Sequence, residues 1–373
     1  MDFSFTEEQQ MLRDSVSRFL DKTYDFKARQ TLVASEKPWS EQVWQQFAEL
    51  GLLALPFSEE TGGLGGSIAD VVAIAESFGE HLLVEPYMSS ILLAGRALAL
   101  SDHDVAQDWL AKIIAGEAIA AFAHEEARGT AAPEFVTLGA QQSGGNYFLD
   151  GEKRLVLNGA EADILVVSAR LSGVAGEKSG LALMMVDPKT DGIEITSFQT
   201  IDGRSAAHIQ FDKVQVSAEQ LLLDDAYSVL VAVISDIMIA LSAEAVGIMG
   251  ALLGATSEYT ATRKQFDVPI SSFQVIAHRL ADMKIAYTKA RASLYYTTAI
   301  AEAGQSTARD IAILKGQVGK LGRAIGEDAI QSHGGVGMTD ELIISHYHKR
   351  LIAIDAMFGD SEYHFRKIGQ AHD

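Results

Sequence analysis

Apolar residues recur three and four apart through the first third of the chain. Leu12, Val16, Phe19 and Leu20 follow that spacing, and Thr6 with Gln9 ahead of them has the form of a capping box. Val43, Trp44, Phe47 and Leu50 repeat the pattern, with Gly51 as a stop. The glycine-rich stretch PFSEETGGLGGS, residues 56–67, contains no lysine and follows no strand signal, so it reads as a turn between helices and not as a phosphate loop. The pattern then changes. NYFLDGEKRLVL, ADILVVSAR, GLALMMVD and AAHIQFDKVQV are short apolar runs bounded by Gly, Asp or Asn. Ile209, Phe211, Val214 and Val216 keep a two-residue period broken by Asp212-Lys213, as in a bulged strand. Helical spacing returns with Phe273, Ile276, Leu280 and Met283, and again with Ile313, Val318, Leu321 and Ile325. The expected class is α+β, mainly α: a helical domain over 1–118, a compact β domain over 119–216 and a helical bundle over 217–373. Strands and helices do not alternate, which argues against a doubly wound nucleotide-binding sheet.

Composition narrows the function classes. The chain has 373 residues, 48% of them apolar, and a formal net charge of −20. A surface that acidic repels nucleic acid and anionic lipid, so a bound anion needs a local basic site. Cysteine is absent, which removes disulfides, thiolate nucleophiles and cysteine metal sites. His346, His348 and His364 lack a ligand spacing, so no metal is expected. The start, MDFSFTEEQQ, lacks a basic region followed by an apolar one, so no signal peptide is expected. The apolar run Val229–Leu241 is interrupted by Ser235 and Asp236 and reads as too short for a bilayer. Together these features point to the cytoplasm.

Candidate chemistry lies in the last segment, at YTATRKQFDVPISSFQ (259–274) and QSHGGVGMTDE (331–341). With FAELGLLALPFSEETGGLGGS (47–67) and the α-β-α order, these stretches resemble the acyl-CoA dehydrogenase family over essentially the whole chain. FAHEE at 122–126 and HYHKRLIAIDAMFGDSEYH at 346–364 resemble the small subunit of the pimeloyl-CoA dehydrogenase type. The resemblance implies a helical domain, a β-barrel-like domain and a C-terminal four-helix bundle. It implies oxidation of the Cα–Cβ bond of an acyl-CoA, with a carboxylate taking the α proton and hydride passing to FAD. Electrons would leave to an electron-transferring flavoprotein. In such a family, Arg263 and Phe266 match an R-x-x-F motif whose arginine meets the FAD pyrophosphate. Phe273 and Gln274 match a pair lining the same cofactor. Gln331, Gly334, Gly335 and Gly337 match a segment that meets the adenine end in the neighbouring subunit. Each has a plainer alternative: a helix C-cap for the glycines, a solvated arginine, a core phenylalanine.

Departures from the pattern are as informative. Both positions at which the family carries its catalytic glutamate are non-ionisable here, Gly359 and Ile237. Asp360, Asp236 and Glu244 are the neighbouring acids, though one residue turns a helix by roughly 100°, so Asp236 would point away from the Ile237 direction. Where the family has Val-Thr-Glu-Pro-Gly, this chain reads His124-Glu125-Glu126-Ala127-Arg128, and its aromatic-Ile-Thr-Asn reads Leu155-Val156-Leu157-Asn158. A glycine usual after Phe266 is Asp267. Departures cluster at the reacting end of the cofactor, and matches cluster where one chain serves its neighbour. That division predicts a small subunit, in an α2β2 assembly, sharing FAD with a related subunit that supplies the base; the resemblance alone implies a bulky or dicarboxylic acyl-CoA. A self-sufficient homo-oligomer using Asp360 or Asp236, a flavin-free structural partner and an oxidase of the same fold are the open alternatives.

Overall fold

A computed structural model describes residues 5–126 and 131–370. Contacts divide the chain into two compact units. The first comprises the chain up to Gln30, Ser67–Leu83, and Met238 onward; the second comprises Thr31–Gly66 and Val84–Ile237.

Helices dominate the first unit. They are α1 (Glu7–Thr23), the start of α2 (Phe26–Val33), α4 (Ile68–Glu80), most of α7 (Tyr227–Thr262), α8 (Gln274–Glu302), α9 (Ala308–His333), α10 (Ile343–Ala356) and α11 (Ser361–Gln370). Thr6 and Gln9 form the predicted capping box, with the Gln9 amide 3.2 Å from Thr6 Oγ1 and the Thr6 amide 3.1 Å from Gln9 Oε1. Helix α9 is central and packs on α8, α10 and α11. Where α4 crosses α7 the backbones touch directly. A Cβ on Gly79 would lie 2.0 Å from the Glu244 carbonyl oxygen, and one on Gly247 would lie 2.0 Å from that of Glu76. Only glycine permits that approach.

The apolar run near Val229 is part of a longer helix than its sequence suggests. Helix α7 spans 36 residues and, among the described residues, is the one helix long and apolar enough by length and composition to cross a membrane. Its most apolar window is 67% buried by protein, which accounts for its composition as a core helix. Asp236 lies within it and is paired there, with Arg96 Nε donating to Asp236 Oδ2 at 3.0 Å.

Glu76 is 5% exposed on α4. Burial pushes its carboxyl up to about 7, against the opposing charge of Arg291 and the Tyr295 hydroxyl, 3.4 Å away. A raised carboxyl holds its proton in the native state over a range where the unfolded chain has lost it. Stability from this group is therefore full below pH 4.5, falls as pH rises to about 7 and is level above that. Glu76→Gln is expected to raise stability above pH 7 by about 1–3 kcal/mol and to flatten that slope. Denaturant titration at pH 5 and pH 8 measures both.

The second unit is built on a mixed sheet, with α3 (Glu41–Glu49), a π-helix (Tyr87–Gly95) continuing into α5 (Arg96–Ala99), and α6 (Asp104–Ile114). Its strands are β1 (Ala120–Ala123), β2 (Gly139–Ser143), β3 (Asn146–Leu157), β4 (Ile164–Arg170), β5 (Leu181–Val186), β6 (Ile193–Gln199), β7 (Ser205–Ser217) and β8 (Leu221–Leu223). The order is β6-β7-β3-β2-β4-β5-β8, and β1 pairs with β4. Pairs β1·β4 and β2·β4 are parallel and the others antiparallel. The expected bulge is present: pairing passes from Leu149↔Val214 to Gly151↔Phe211, and Lys213 has φ +50°. A second irregularity lies between Lys153 and Val156 and sets Leu155 at φ +51°.

Candidate functional site

Two exposed features of the first unit carry the residues expected to hold an anion. The first is a hairpin after α7, formed by β9 (Lys264–Gln265) and β10 (Val268–Pro269). Phe266 and Asp267 form its tip at φ +54° and +64°, the left-handed pair that a two-residue hairpin needs. Glycine would take that conformation without cost, so Asp267 is a strained replacement. Phe266 is 88% exposed and meets Phe273 edge-on at 6.3 Å. Phe273 is half-buried at the start of α8, and Arg263 and Gln274 are exposed beside it.

The second feature is the end of α9. Gly334 closes the helix at φ +67°, ψ −147°, and its amide donates to the Ile330 carbonyl. The C-cap reading of this glycine is therefore correct as geometry. Gly334 and Gly335 are exposed, and a Cβ on either would meet nothing within 4 Å. Gly337 differs: it is buried, and a Cβ would lie 2.9 Å from His333 Cβ and 3.0 Å from the Ile330 carbonyl oxygen. Its glycine serves packing. Gln331 is exposed on the last turn. Sequence reading missed what joins the two features. Tyr259 stacks on His333 at 4.3 Å, and its hydroxyl donates to the His333 carbonyl at 3.4 Å. That contact ties the end of α7, four residues before Arg263, to the turn at Gly334. Arg263, Gln274 and Gln331 thus present a guanidinium and two carboxamides from exposed positions.

Candidate bases are all engaged elsewhere. Gly359 has φ +91°, and its carbonyl accepts from Lys315 Nζ at 2.9 Å. Lys315 also donates to the Asp355 carbonyl at 2.9 Å, and burial lowers its pKa to about 8. Asp360 caps α11, with Oδ1 accepting the Tyr363 amide at 2.7 Å. Ile237 is fully buried. In the second unit, Asp236 pairs with Arg96, and burial still holds its carboxyl above the usual range. Glu244 is 0% exposed and accepts two Arg350 donors, each at 2.7 Å.

In the second unit, His124, Glu125 and Glu126 leave β1 beside β3; Ala127 and Arg128 lie outside the described residues. Burial pushes the half-buried Glu125 carboxyl up to about 7, despite the charge of Lys153. Lys153 is 0% exposed and donates to Glu126 Oε1 at 2.7 Å, Ser168 Oγ at 2.9 Å and the His124 carbonyl at 3.2 Å. His124 Nδ1 lies 2.9 Å from Ser168 Oγ, and burial with the nearby Lys153 charge takes its pKa down to about 3. Leu157, half-buried, ends β3 where a hydroxyl was expected from the resemblance. Nothing in the sequence reading singled out Lys153. It is the middle of three consecutive charges, Glu152-Lys153-Arg154, so nothing local marks it as the buried one. Among the described residues no three His, Cys, Asp or Glu gather as a metal site.

Three family models cover most of the chain: "Acyl-CoA dehydrogenase, N-terminal domain" over 6–117, the middle domain over 120–214 and the C-terminal domain over 236–372. The chain is 26% identical to "Acyl-CoA dehydrogenase FadE27" of Mycobacterium tuberculosis, covering 99% of this chain and 98% of that one. A crystal structure of the ChsE4–ChsE5 complex from the same organism matches at TM-score 0.91 and 26% identity over 100% and 99% of the two chains. An FAD complex of PigA matches at TM-score 0.90 and 25% identity over 100% and 99%. With three family models in order along 6–372 and the fold they describe, this chain belongs to the acyl-CoA dehydrogenase family.

Proposed function

We propose that this chain is the small subunit of an FAD-dependent acyl-CoA dehydrogenase that desaturates the Cα–Cβ bond of an acyl-CoA thioester. It acts with a related subunit that supplies the base, in an α2β2 assembly in the cytoplasm, and passes electrons to an electron-transferring flavoprotein. The observation that carries this reading is the engagement of the three acids next to the family base positions. Asp360 caps a helix, Asp236 faces Arg96 and Glu244 is locked to Arg350. The two family base positions are Gly359 and Ile237. Similarity to a complex of two unlike chains, ChsE4 and ChsE5, supports the heteromeric part. A bulky or dicarboxylic acyl group, as in pimeloyl-CoA, is the substrate class the sequence resemblance suggests.

Residues of the first unit fit the anionic half of FAD. Arg263 would face the pyrophosphate, Gln274 and Gln331 would donate beside it, and the open backbone at Gly334–Gly335 would admit the adenine end without side-chain clash. Phe266 and Phe273 offer apolar surface next to it. FAD, when bound, supplies the two-electron acceptor for the substrate hydride. Residues at the other end fit its ring less well, since Leu157 brings no hydroxyl and Glu125 brings a carboxyl.

Flavin absorbance and native mass of the chain alone, and of the chain co-expressed with a related dehydrogenase, test the proposal. The expected result is colour only in the mixed sample, at one FAD per pair of unlike chains. Full flavin occupancy in the chain alone would overturn it. In the mixed sample, Arg263→Ala is expected to weaken flavin retention by about 10- to 100-fold, the loss of a charge-assisted contact. Dialysis against apo-flavoprotein scavengers measures that loss.

A further inference from the structure

The glycine turn at the end of α9 is tied at its near side by Tyr259 on His333. Its far side is tied too, by residues outside the flavin argument. Past Met338 the chain runs through residues 339–342 into α10. Ser345 Oγ donates to the Thr339 carbonyl at 2.9 Å. The Asp340 carbonyl accepts twice, from Gln30 Nε2 at 2.8 Å and from His346 Nε2 at 3.1 Å. Gln30 belongs to α2, and so does Arg29, whose Nη1 lies 3.5 Å from His346 Nδ1. Arg29 is 2% exposed, and its Nε donates to the Leu82 carbonyl at 2.9 Å, which fixes the guanidinium. Phe26 of the same helix meets the His346 ring edge-on at 5.0 Å. Helix α2 therefore holds the far end of the turn through Gln30 directly and through Arg29 by way of His346.

These partners fix the state of His346. A carbonyl only accepts, so Nε2 carries the proton; a guanidinium only donates, so Nδ1 is bare. A second proton would sit on Nδ1 and face Arg29 donor to donor and charge to charge. The other charges facing the ring are the Asp340 carboxylate, 3.9 Å from Nε2, and Lys349, itself 2.7 Å from that carboxylate. Burial, with the Arg29 and Lys349 charges, holds the His346 pKa below 6.5 against the pull of Asp340. We propose that Gln30 and His346 are positioning residues for the cofactor turn, and that His346 makes the hold proton-sensitive: neutral, it ties the turn to α2, and protonated, it leaves Arg29 and the turn loosens. This rests on the reading of Gly334–Gly335 as the place of the adenine end. A native pKa below the usual value means that the released ring takes the proton first. The hold is thus full above pH 6.5 and weakens as pH falls below it.

Two readouts at pH 7.5 and pH 5.5 test this. Flavin retention of the mixed sample reports the coupling. Hydrogen exchange of the 334–342 backbone in the chain alone, corrected for intrinsic rates, reports the hold. The variant that separates charge from contact is His346→Gln, whose carboxamide donates to the Asp340 carbonyl and accepts from Arg29 but does not titrate. Wild type is expected to lose about threefold to tenfold in retention at the lower pH, one unit below 6.5, with faster exchange of the turn. His346→Gln is expected to show neither change. His346→Leu and Gln30→Ala are expected to retain flavin weakly and exchange fast already at pH 7.5. An equal acid response in wild type and His346→Gln overturns the proposal, as does exchange over 334–342 that is the same in wild type and His346→Leu. Flavin missing from every mixed sample would instead count against the subunit reading, and the exchange comparison would still decide the hold.

Discussion

Removing either half of the Glu244–Arg350 pair is expected to destabilise the chain by about 3–5 kcal/mol. Both side chains are almost wholly withdrawn from water, at 0% and 2% exposure, and they meet through two hydrogen bonds of 2.7 Å. Two parallel bonds in a buried setting satisfy each charge well, but the survivor of a single substitution keeps its desolvation cost without its partner. A loss of that size is a large fraction of the stability of an ordinary domain. Glu244→Gln and Arg350→Met singly should therefore lower the denaturant midpoint sharply or yield insoluble protein. Glu244→Leu with Arg350→Met should recover most of the loss, because an apolar pair removes both desolvation terms together. The same comparison bears on function. If Glu244 were the catalytic base of a self-sufficient enzyme, Glu244→Gln would abolish turnover and leave the midpoint in place. A fall in midpoint with flavin content and partner assembly lost together is the outcome its geometry dictates.

A comparable loss, again about 3–5 kcal/mol, is expected for Lys153→Met within the sheet. Lys153 has no exposed surface, and Glu126 has almost none. The substitution would leave the Glu126 carboxylate on the Thr137 and Leu138 amides, at 2.6 and 3.0 Å, with no cation beside it. Burial by itself raises the Glu126 carboxyl; the Lys153 charge and these hydrogen bonds outweigh it and leave the pKa below 4.5. A depressed native pKa means that the unfolded chain takes up the proton first on acidification. The contribution of Glu126 is thus present above pH 4.5 and is lost as pH falls through its native value. Wild-type stability should drop on the acid side, and Lys153→Met with Glu126→Gln should remove most of that drop. Unfolding followed from pH 3 to pH 7 measures it, and an unchanged acid limb in the double variant would contradict the assignment. Neighbouring His124 adds to the acid sensitivity. Its pKa is held down to about 3, so protonating it favours the unfolded chain over the window below its usual value of 6.5.

Much of the fold was legible as periodicity. Spacings of three and four marked α1, α3 and α8, Val318, Leu321 and Ile325 marked α9 while Ile313 proves exposed, and the break at Asp212-Lys213 marked the β7 bulge, because each signal lies within one element. Length misled at α7. Ser235 and Asp236 looked like interruptions, but Arg96 pairs with Asp236 and the helix continues. The glycines of 334–337 looked alike in sequence. Gly334 is a cap, Gly335 is open, and Gly337 is packed against His333 with no room for a Cβ. That distinction depends on what surrounds each Cβ position, which spacing does not encode.

By itself the sequence established the helix–strand–helix order, the family resemblance and the absence of a carboxylate at Gly359 and Ile237. These are properties of residue identity and of local period, and they survive without knowledge of any distant neighbour. Only tertiary structure decided the state of the remaining acids. Glu244 meets Arg350 from 106 positions away, Asp236 meets Arg96 from 140, and Glu126 meets Lys153 across 27. Tertiary structure likewise brought Tyr259 onto His333. The reason is physical: the character of an ionisable group is set by its desolvation and its nearest opposite charge, and folding supplies both from parts of the chain that carry no mark of each other.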